Sequence, residues 1–275
     1  MDIRLVVSDI DDTLIRKDEP VPPAVISAAA RLAERGIPLT FASGRLPYMI
    51  APYMELLYPA ADGRIPPPAA ACNGALIWQH NVGGGALLSR HPMGLSGLRP
   101  LAEEARRLGM TILYALDGLE YCLEETEHSR ARRKIRQDYP TLRPLNDAEW
   151  DSLGADKMNI IDDDREAERV RLPEDMVRSL EGQYAITRYG WYGLEIVAHG
   201  VNKAAGAAEI AARMGIAMEQ VMAIGDSEND NLLLQRAGWG VAVANAAVET
   251  KVFADYVCRR EAGDGVAEAI ERFCL

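Results

Sequence analysis

The run Arg4-Leu5-Val6-Val7-Ser8-Asp9-Ile10-Asp11-Asp12-Thr13-Leu14 decides how the rest of the chain is read. Its first five residues are a short β-branched, apolar stretch, fit for a buried strand, and it breaks off into three acids. Outward from it, residues 22–36 predict an alanine-rich helix opened by Pro22 and Pro23 and closed by Gly36. Residues 37–42 predict a second buried strand, 46–57 a helix, and 69–72 a strand leading into the turn pair Asn73-Gly74. Strand, helix, strand with unbroken apolar strands is the pattern of a parallel sheet covered on both faces. The rhythm returns towards the other end. Asn202 is placed to cap a helix over 203–214 that stops at Gly215, followed by a strand at 221–224, a helix at 229–237 and a strand at 240–243. Residues 246–254 and 265–273 read as helices.

The middle has a different grammar. A helix at 96–108 precedes two strands, 111–115 and 121–124, on either side of Asp117-Gly118. A strand at 158–161, a helix at 173–181 and strands at 184–187 and 193–197 follow. Strands that adjoin one another in this way pair as hairpins, so the segment is α+β. Gly83-Gly84-Gly85 reads as a joint into it, the other reading being a hairpin loop. The expectation is an α/β protein with a Rossmann-like parallel-sheet core of residues 1–83 plus 191–275, and an inserted α+β domain of residues 84–190.

Composition bounds the function. With 41 acidic and 30 basic side chains among 275 residues, the formal charge of −11 disfavours nucleic acid as a partner. Apolar residues at 48% and charged residues at 26% fit a folded globular chain and not a disordered one. No apolar run reaches the ~20 residues of a membrane helix, and the N-terminus has no signal-peptide pattern. Cys72, Cys122, Cys258 and Cys274 lie far apart with no CxxC, which argues against a disulfide scaffold or zinc site and fits reduced thiols in a cytoplasm. His80, His91, His128 and His199 form no spaced cluster, and the basic stretch 130–136 reads as a solvated helix face.

Four segments set polar groups just after buried strands or at a helix start: Asp9 to Leu14, Ser43-Gly44-Arg45, Lys203, and Gly225 to Asp230. Ligand sites of open α/β sheets form beyond the carboxyl ends of the strands, so these segments can converge. The spacing of Asp9 and Asp11 points both to one side of an extended segment, and Asp226 and Asp230 add charge. Carboxylates so crowded repel unless a hard cation joins them, and Mg²⁺ takes carboxylates together with substrate phosphate. Lys203, the Ser43 hydroxyl and the amides after it suit phosphate oxygens.

With DIDDTL (9–14), FASGR (41–45), CNGALI (72–77), LEIVAHGVNKAAGA (194–207), IGDSENDNLLL (224–234) and DGVAEAI (264–270), the chain resembles the haloacid dehalogenase (HAD) superfamily phosphatases. Within them it is similar to the Cof-like group with a large inserted C2-type cap. The resemblance implies a HAD core, a substrate-selecting cap, and Mg²⁺-dependent hydrolysis of small phosphomonoesters, such as a sugar phosphate, through an aspartyl-phosphate. It implies Asp9 as nucleophile and Asp11 as acid and base. The metal would lie on Asp9, Asp226 and the carbonyl of Asp11, with Asp230 behind it. The phosphate would lie on Ile10, Ser43, Gly44, Lys203 and Asn229. Asp12 stands where many relatives have glycine. Arg45, Asn73, Tyr189, Trp191 and Tyr192 are pocket candidates, the aromatic three having domain-junction packing as their other reading. A phosphotransferase such as a phosphosugar mutase is possible on the same core, and a phospho-receiver module groups similar residues. A monomer or homodimer is expected.

Overall fold

The computed structural model describes residues 2–17, 19–81, 84–135, 139–164, 169–190 and 192–275. The chain forms two compact units, one of Met1–Arg90 with Asn202–Leu275 and one of His91–Val201.

The first unit is built on a five-stranded parallel sheet in the order Tyr256–Val257, Trp239–Ala242, Val221–Gly225, Leu5–Ser8, Leu39–Phe41. Leu5–Ser8 is buried at every position, as its apolar run requires. Helix Pro23–Glu34 begins on Pro23, whose missing amide hydrogen is no loss at a helix start, and buries Val25, Ala28, Ala29 and Leu32 along one face. Helix Lys203–Arg213 starts from Asn202, whose side chain accepts from the Ala205 amide at 2.9 Å. Its inward residues Ala204, Ala207, Ile210 and Ala211 pack with Leu5, Val7, Val221 and Ala223. The chain leaves Leu5–Ser8 towards one side of the sheet and returns in Val221–Gly225 on the other. Their carboxyl ends therefore flank a crevice, the place where such sheets bind ligands.

A three-stranded antiparallel sheet, Ala69–Ala71, Leu76–Gln79 and Ala86–Arg90, completes this unit. It corrects the expected boundary. Gln79 pairs with Ala86, so Gly84 and Gly85 lie in a hairpin loop rather than an interdomain joint, and Gly83 is outside the described residues. The far boundary also moves. Tyr184–Tyr189 and Gly193–Ala198 pair along their whole length as a hairpin inside the second unit. The units divide after Arg90 and after Val201, not after residues 83 and 190.

The second unit carries a six-stranded sheet in the order Tyr184–Tyr189, Gly193–Ala198, Lys157–Ile161, Thr111–Leu116, Leu119–Cys122, Thr141–Leu142. All its pairs are antiparallel except the last, the α+β pattern expected. Ile112, Tyr114, Met158, Ile160, Leu194 and Ile196 point alternately to one face and make its core with Leu98, Leu101, Ala105 and Val177. Among the described residues, no helix is long and apolar enough to cross a membrane.

Candidate active site

The carboxyl end of strand Leu5–Ser8 is where the site begins. The Asp9 amide still donates to Ile224 at 2.9 Å, which extends the ladder by one residue and carries the Asp9 side chain over the sheet edge. Asp9 is buried, and its Oδ1 lies 2.9 Å from Lys203 Nζ. Lys203, the first residue of its helix, is also buried and reaches Asp230 Oδ1 at 2.8 Å. Asp230 turns its Oδ2 back to the amides of Asp226 (3.1 Å) and Ser227 (3.2 Å). That return needs the glycine of GDSEND, because a Cβ on Gly225 would sit 2.5 Å from the Asp230 Cβ. Asp226, one residue past its strand, accepts from the Thr13 hydroxyl through Oδ1 at 2.6 Å.

Oxygens of Asp9, Asp226 and Asp230 lie within 4.8 Å of one another. Burial, reinforced by Asp230 and Asp226 and opposed by Lys203, holds the Asp9 carboxyl well above the usual carboxylate range. Burial and then the charge of Asp230 push Asp226 up to about 7. Burial alone would lower the Lys203 ammonium, but Asp230 and Asp9 outweigh it and hold it above its ordinary value. Three crowded carboxyls, two of them driven towards the protonated form, are an all-oxygen donor set short of positive charge. That set fits a hard divalent cation. No described histidine joins it.

The second wall of the site is a pair of linked loops. Ser43, buried, donates its amide to Ala70 and accepts from the Asn73 amide, both at 2.9 Å, while the Cys72 amide donates to Arg45 at 2.9 Å. The Ser43 hydroxyl accepts from the Arg45 amide at 3.2 Å. These bonds hold Cys72 and Asn73 at positive φ (50° and 54°). Asn73 thereby meets Asn229, whose Nδ2 donates to its Oδ1 at 3.4 Å. Asn229 also accepts from the Ser227 hydroxyl at 2.9 Å.

Asp9, Ser43, Asn73, Lys203, Asp226, Asn229 and Asp230 are therefore brought into one connected cluster. Ile10 is buried behind the first loop and Gly44 half-buried in the second. Asp11 departs from the acid cluster: its side chain is 58% exposed and is held by Arg45 through two hydrogen bonds of 2.8 and 2.7 Å. Asp12 stands at φ 56°, with its carbonyl accepting from Asn245 at 2.7 Å, a left-handed position that glycine fills without strain. Tyr192, expected near the return to the core, lies instead in the hairpin turn of the second unit. The Tyr189 side chain and Trp191 are outside the described residues. Thr13 and Tyr53 were not singled out from sequence. Thr13 was detectable as the hydroxyl that ends the acidic run. Tyr53 had no signal, because it meets Arg45 only once a helix folds it back.

Such a constellation beyond the ends of a parallel α/β sheet defines a class, and the chain belongs to it. Residues 6–270 match the haloacid dehalogenase-like hydrolase family, and the protein is an enzyme of the phosphomonoester hydrolase type. It is 28% identical over 275 residues to the 5-amino-6-(5-phospho-D-ribitylamino)uracil phosphatase of Bacillus subtilis, covering 100% of this chain and 97% of that one. It is 43% identical over 103 residues to a phosphoglycolate phosphatase of Methanothermobacter thermautotrophicus, covering 37% of this chain and 47% of the other. Among solved structures it resembles a haloacid dehalogenase-like hydrolase from Bacteroides thetaiotaomicron with a TM-score of 0.75 and 27% identity, covering 98% and 99% of the two chains.

Proposed function

We propose that the protein is a Mg²⁺-dependent phosphatase of small phosphomonoesters, a sugar phosphate or similar metabolite, acting through an aspartyl-phosphate on Asp9. The observation that carries this reading is the buried Asp9 carboxyl, 2.9 Å from the Lys203 ammonium and ringed by Asp226 and Asp230. A carboxylate in so dry a place, once its charge is balanced, is a nucleophile aimed at an electrophile that brings its own negative oxygens.

In the first step an Asp9 oxygen bonds to phosphorus, the bond to the ester oxygen breaks, and Asp11 gives that oxygen a proton. In the second, Asp11 takes a proton from water, whose oxygen attacks phosphorus and frees Asp9 and inorganic phosphate. Lys203, the Ser43 hydroxyl, the Asn229 amide and the backbone amides of Ile10 and Gly44 hold the phosphoryl oxygens as charge spreads over them. Asp9, Asp226 and the Asp11 carbonyl would hold the Mg²⁺, which would supply the positive charge that lets an anionic nucleophile meet an anionic ester. Asp230 works from behind by fixing Lys203 and the 226–227 amides. The second unit holds none of these groups and is assigned the choice of ester. The full-length relative named for a phosphorylated ribityl compound favours a polyhydroxylated leaving group.

The test is phosphate release by purified protein from a panel of phosphorylated metabolites, with Mg²⁺ and with excess chelator. Release with the metal and its loss in chelator is expected. Full activity in chelator would refute the metal assignment. A long-lived phosphoprotein with little turnover would instead favour a receiver module.

A further inference from the structure

A line of contacts in the first unit runs from the hydrophobic core to Asp11, and the displacement at Asp9 uses none of it. Phe41, the buried last residue of strand Leu39–Phe41, meets the ring of Tyr53 edge-on, with centroids 6.2 Å apart and planes at 72°. The Tyr53 hydroxyl accepts from Arg45 Nη1 at 2.8 Å, and the guanidinium carbon lies 5.3 Å from the centre of that ring. The other two Arg45 nitrogens point forward. Nε donates to Asp11 Oδ2 at 2.8 Å and Nη2 to Oδ1 at 2.7 Å.

A carboxyl on an exposed loop has many orientations, and a single hydrogen bond would leave it free to rotate. A planar fork that engages both oxygens leaves it one plane and one reach. The fork is in turn fixed from behind by Tyr53, itself wedged against Phe41. Each member of the line takes away rotational freedom that the next would otherwise have.

We propose that Arg45 is a positioning residue for Asp11, and Tyr53 for Arg45, so that together they aim the carboxyl that serves the leaving oxygen. The proposal rests on the acid–base role of Asp11 given above and adds two residues to that machinery. During transfer one Asp11 oxygen keeps its bond to Arg45. The other lets go of the fork, takes up a proton from solvent and passes it to the leaving oxygen; in the second step the same oxygen, again bare, takes one from the attacking water. Nη1 stays on Tyr53, so the guanidinium does not follow the substrate.

The experiment is steady-state kinetics with aryl phosphates of similar shape and graded leaving ability, from p-nitrophenyl through phenyl to p-methoxyphenyl phosphate. Arg45→Met keeps the length of the stem and removes the fork. It should lower kcat by about tenfold or more on the poor leaving groups and by less than about threefold on p-nitrophenyl phosphate, which needs little proton donation. Arg45→Lys should not restore the loss, because an ammonium holds one oxygen only. Tyr53→Phe should give the same pattern in weaker form. In an Asp11→Asn background, Arg45→Met should add nothing. Circular dichroism and melting of each variant control for folding, and a stability cycle between Asp11→Asn and Arg45→Met reads the pair without activity. Equal loss across the series, or a loss additive with Asp11→Asn and carried by KM, would mean that Arg45 grips the substrate directly and would overturn the proposal alone. Wild-type protein that releases no phosphate from any ester, while the stability cycle still shows coupling, would bring down the phosphatase reading and this inference with it.

Discussion

Asp9 is a buried and Asp226 a half-buried acid, neither with enough positive charge around it, and each makes a prediction. Asp9→Asn keeps the shape of the side chain but offers phosphorus a far poorer nucleophile. Phosphate release should fall by a factor of about 10³ or more, with the melting temperature unchanged or raised, since Lys203 keeps its bond to Asp230. A variant that retains a tenth of the activity would rule out the covalent route. Asp226 predicts how the metal-free protein responds to pH. Its carboxyl stands at about 7 when folded against 3.8 when free, so the folded state holds the proton more tightly. Its stabilising contribution is complete below 3.8 and is lost as pH rises towards about 7. Thermal melts in chelator should show stability falling across that window, and Mg²⁺ at pH 8 should restore it by binding the folded state alone. A melting temperature in chelator that does not fall between pH 5 and pH 8 would contradict the crowding of these acids.

At the scale of elements, the helix Lys203–Arg213 does two jobs: it presents Lys203 at its first turn and supports the Asn73 loop from beneath. Gly206 makes the second possible. A Cβ there would lie 2.7 Å from the Ala70 Cβ and 3.0 Å from the Gly74 Cα. In an isolated helix alanine would be better than glycine by about 1 kcal/mol. Here the contact wins, and Gly206→Ala should destabilise by about 1–3 kcal/mol in urea titration while weakening Mg²⁺-dependent turnover. A stabilised variant would show that the loop has room to move. What could be read in advance follows the same local logic. The strand ends, the Asn202 cap and the polar run from Gly225 to Asp230 were legible because each is decided by a few adjacent residues. The edge of the inserted unit was not, because a glycine run looks alike as a hinge and as a hairpin loop until Gln79 finds Ala86. The grip of Arg45 on Asp11 was hidden for the opposite reason. It joins two loops distant in sequence, and nothing in either one announces the other.

For the whole molecule, the division into units predicts what survives without the second. Arg90 pairs with Leu76, and the Asn202 carbonyl lies against Gly74, so both cut ends sit by the same turn and can be rejoined when residues 91–201 are removed. The remaining protein, once circular dichroism shows it folded, should still bind Mg²⁺ and beryllium fluoride by calorimetry. Hydrolysis of the best metabolite ester should collapse and that of p-nitrophenyl phosphate should fall much less, because the leaving group no longer contributes binding energy to the transition state. A folded remainder that binds neither ligand would mean that the second unit supplies part of the metal site. The same layout governs how the protein is made. Leu5–Ser8 is an inner strand of its sheet, yet one of its two neighbours, Val221–Gly225, comes from the last part of the chain. While the ribosome works, the strand that will bear Asp9 emerges early and waits with one edge open, its acid without the lysine that will answer it. The second unit is continuous in sequence and can close its own core during that wait. The centre of the first unit is thus among the last parts of the newborn chain to be sheltered, and an early termination anywhere before Val221 strands it.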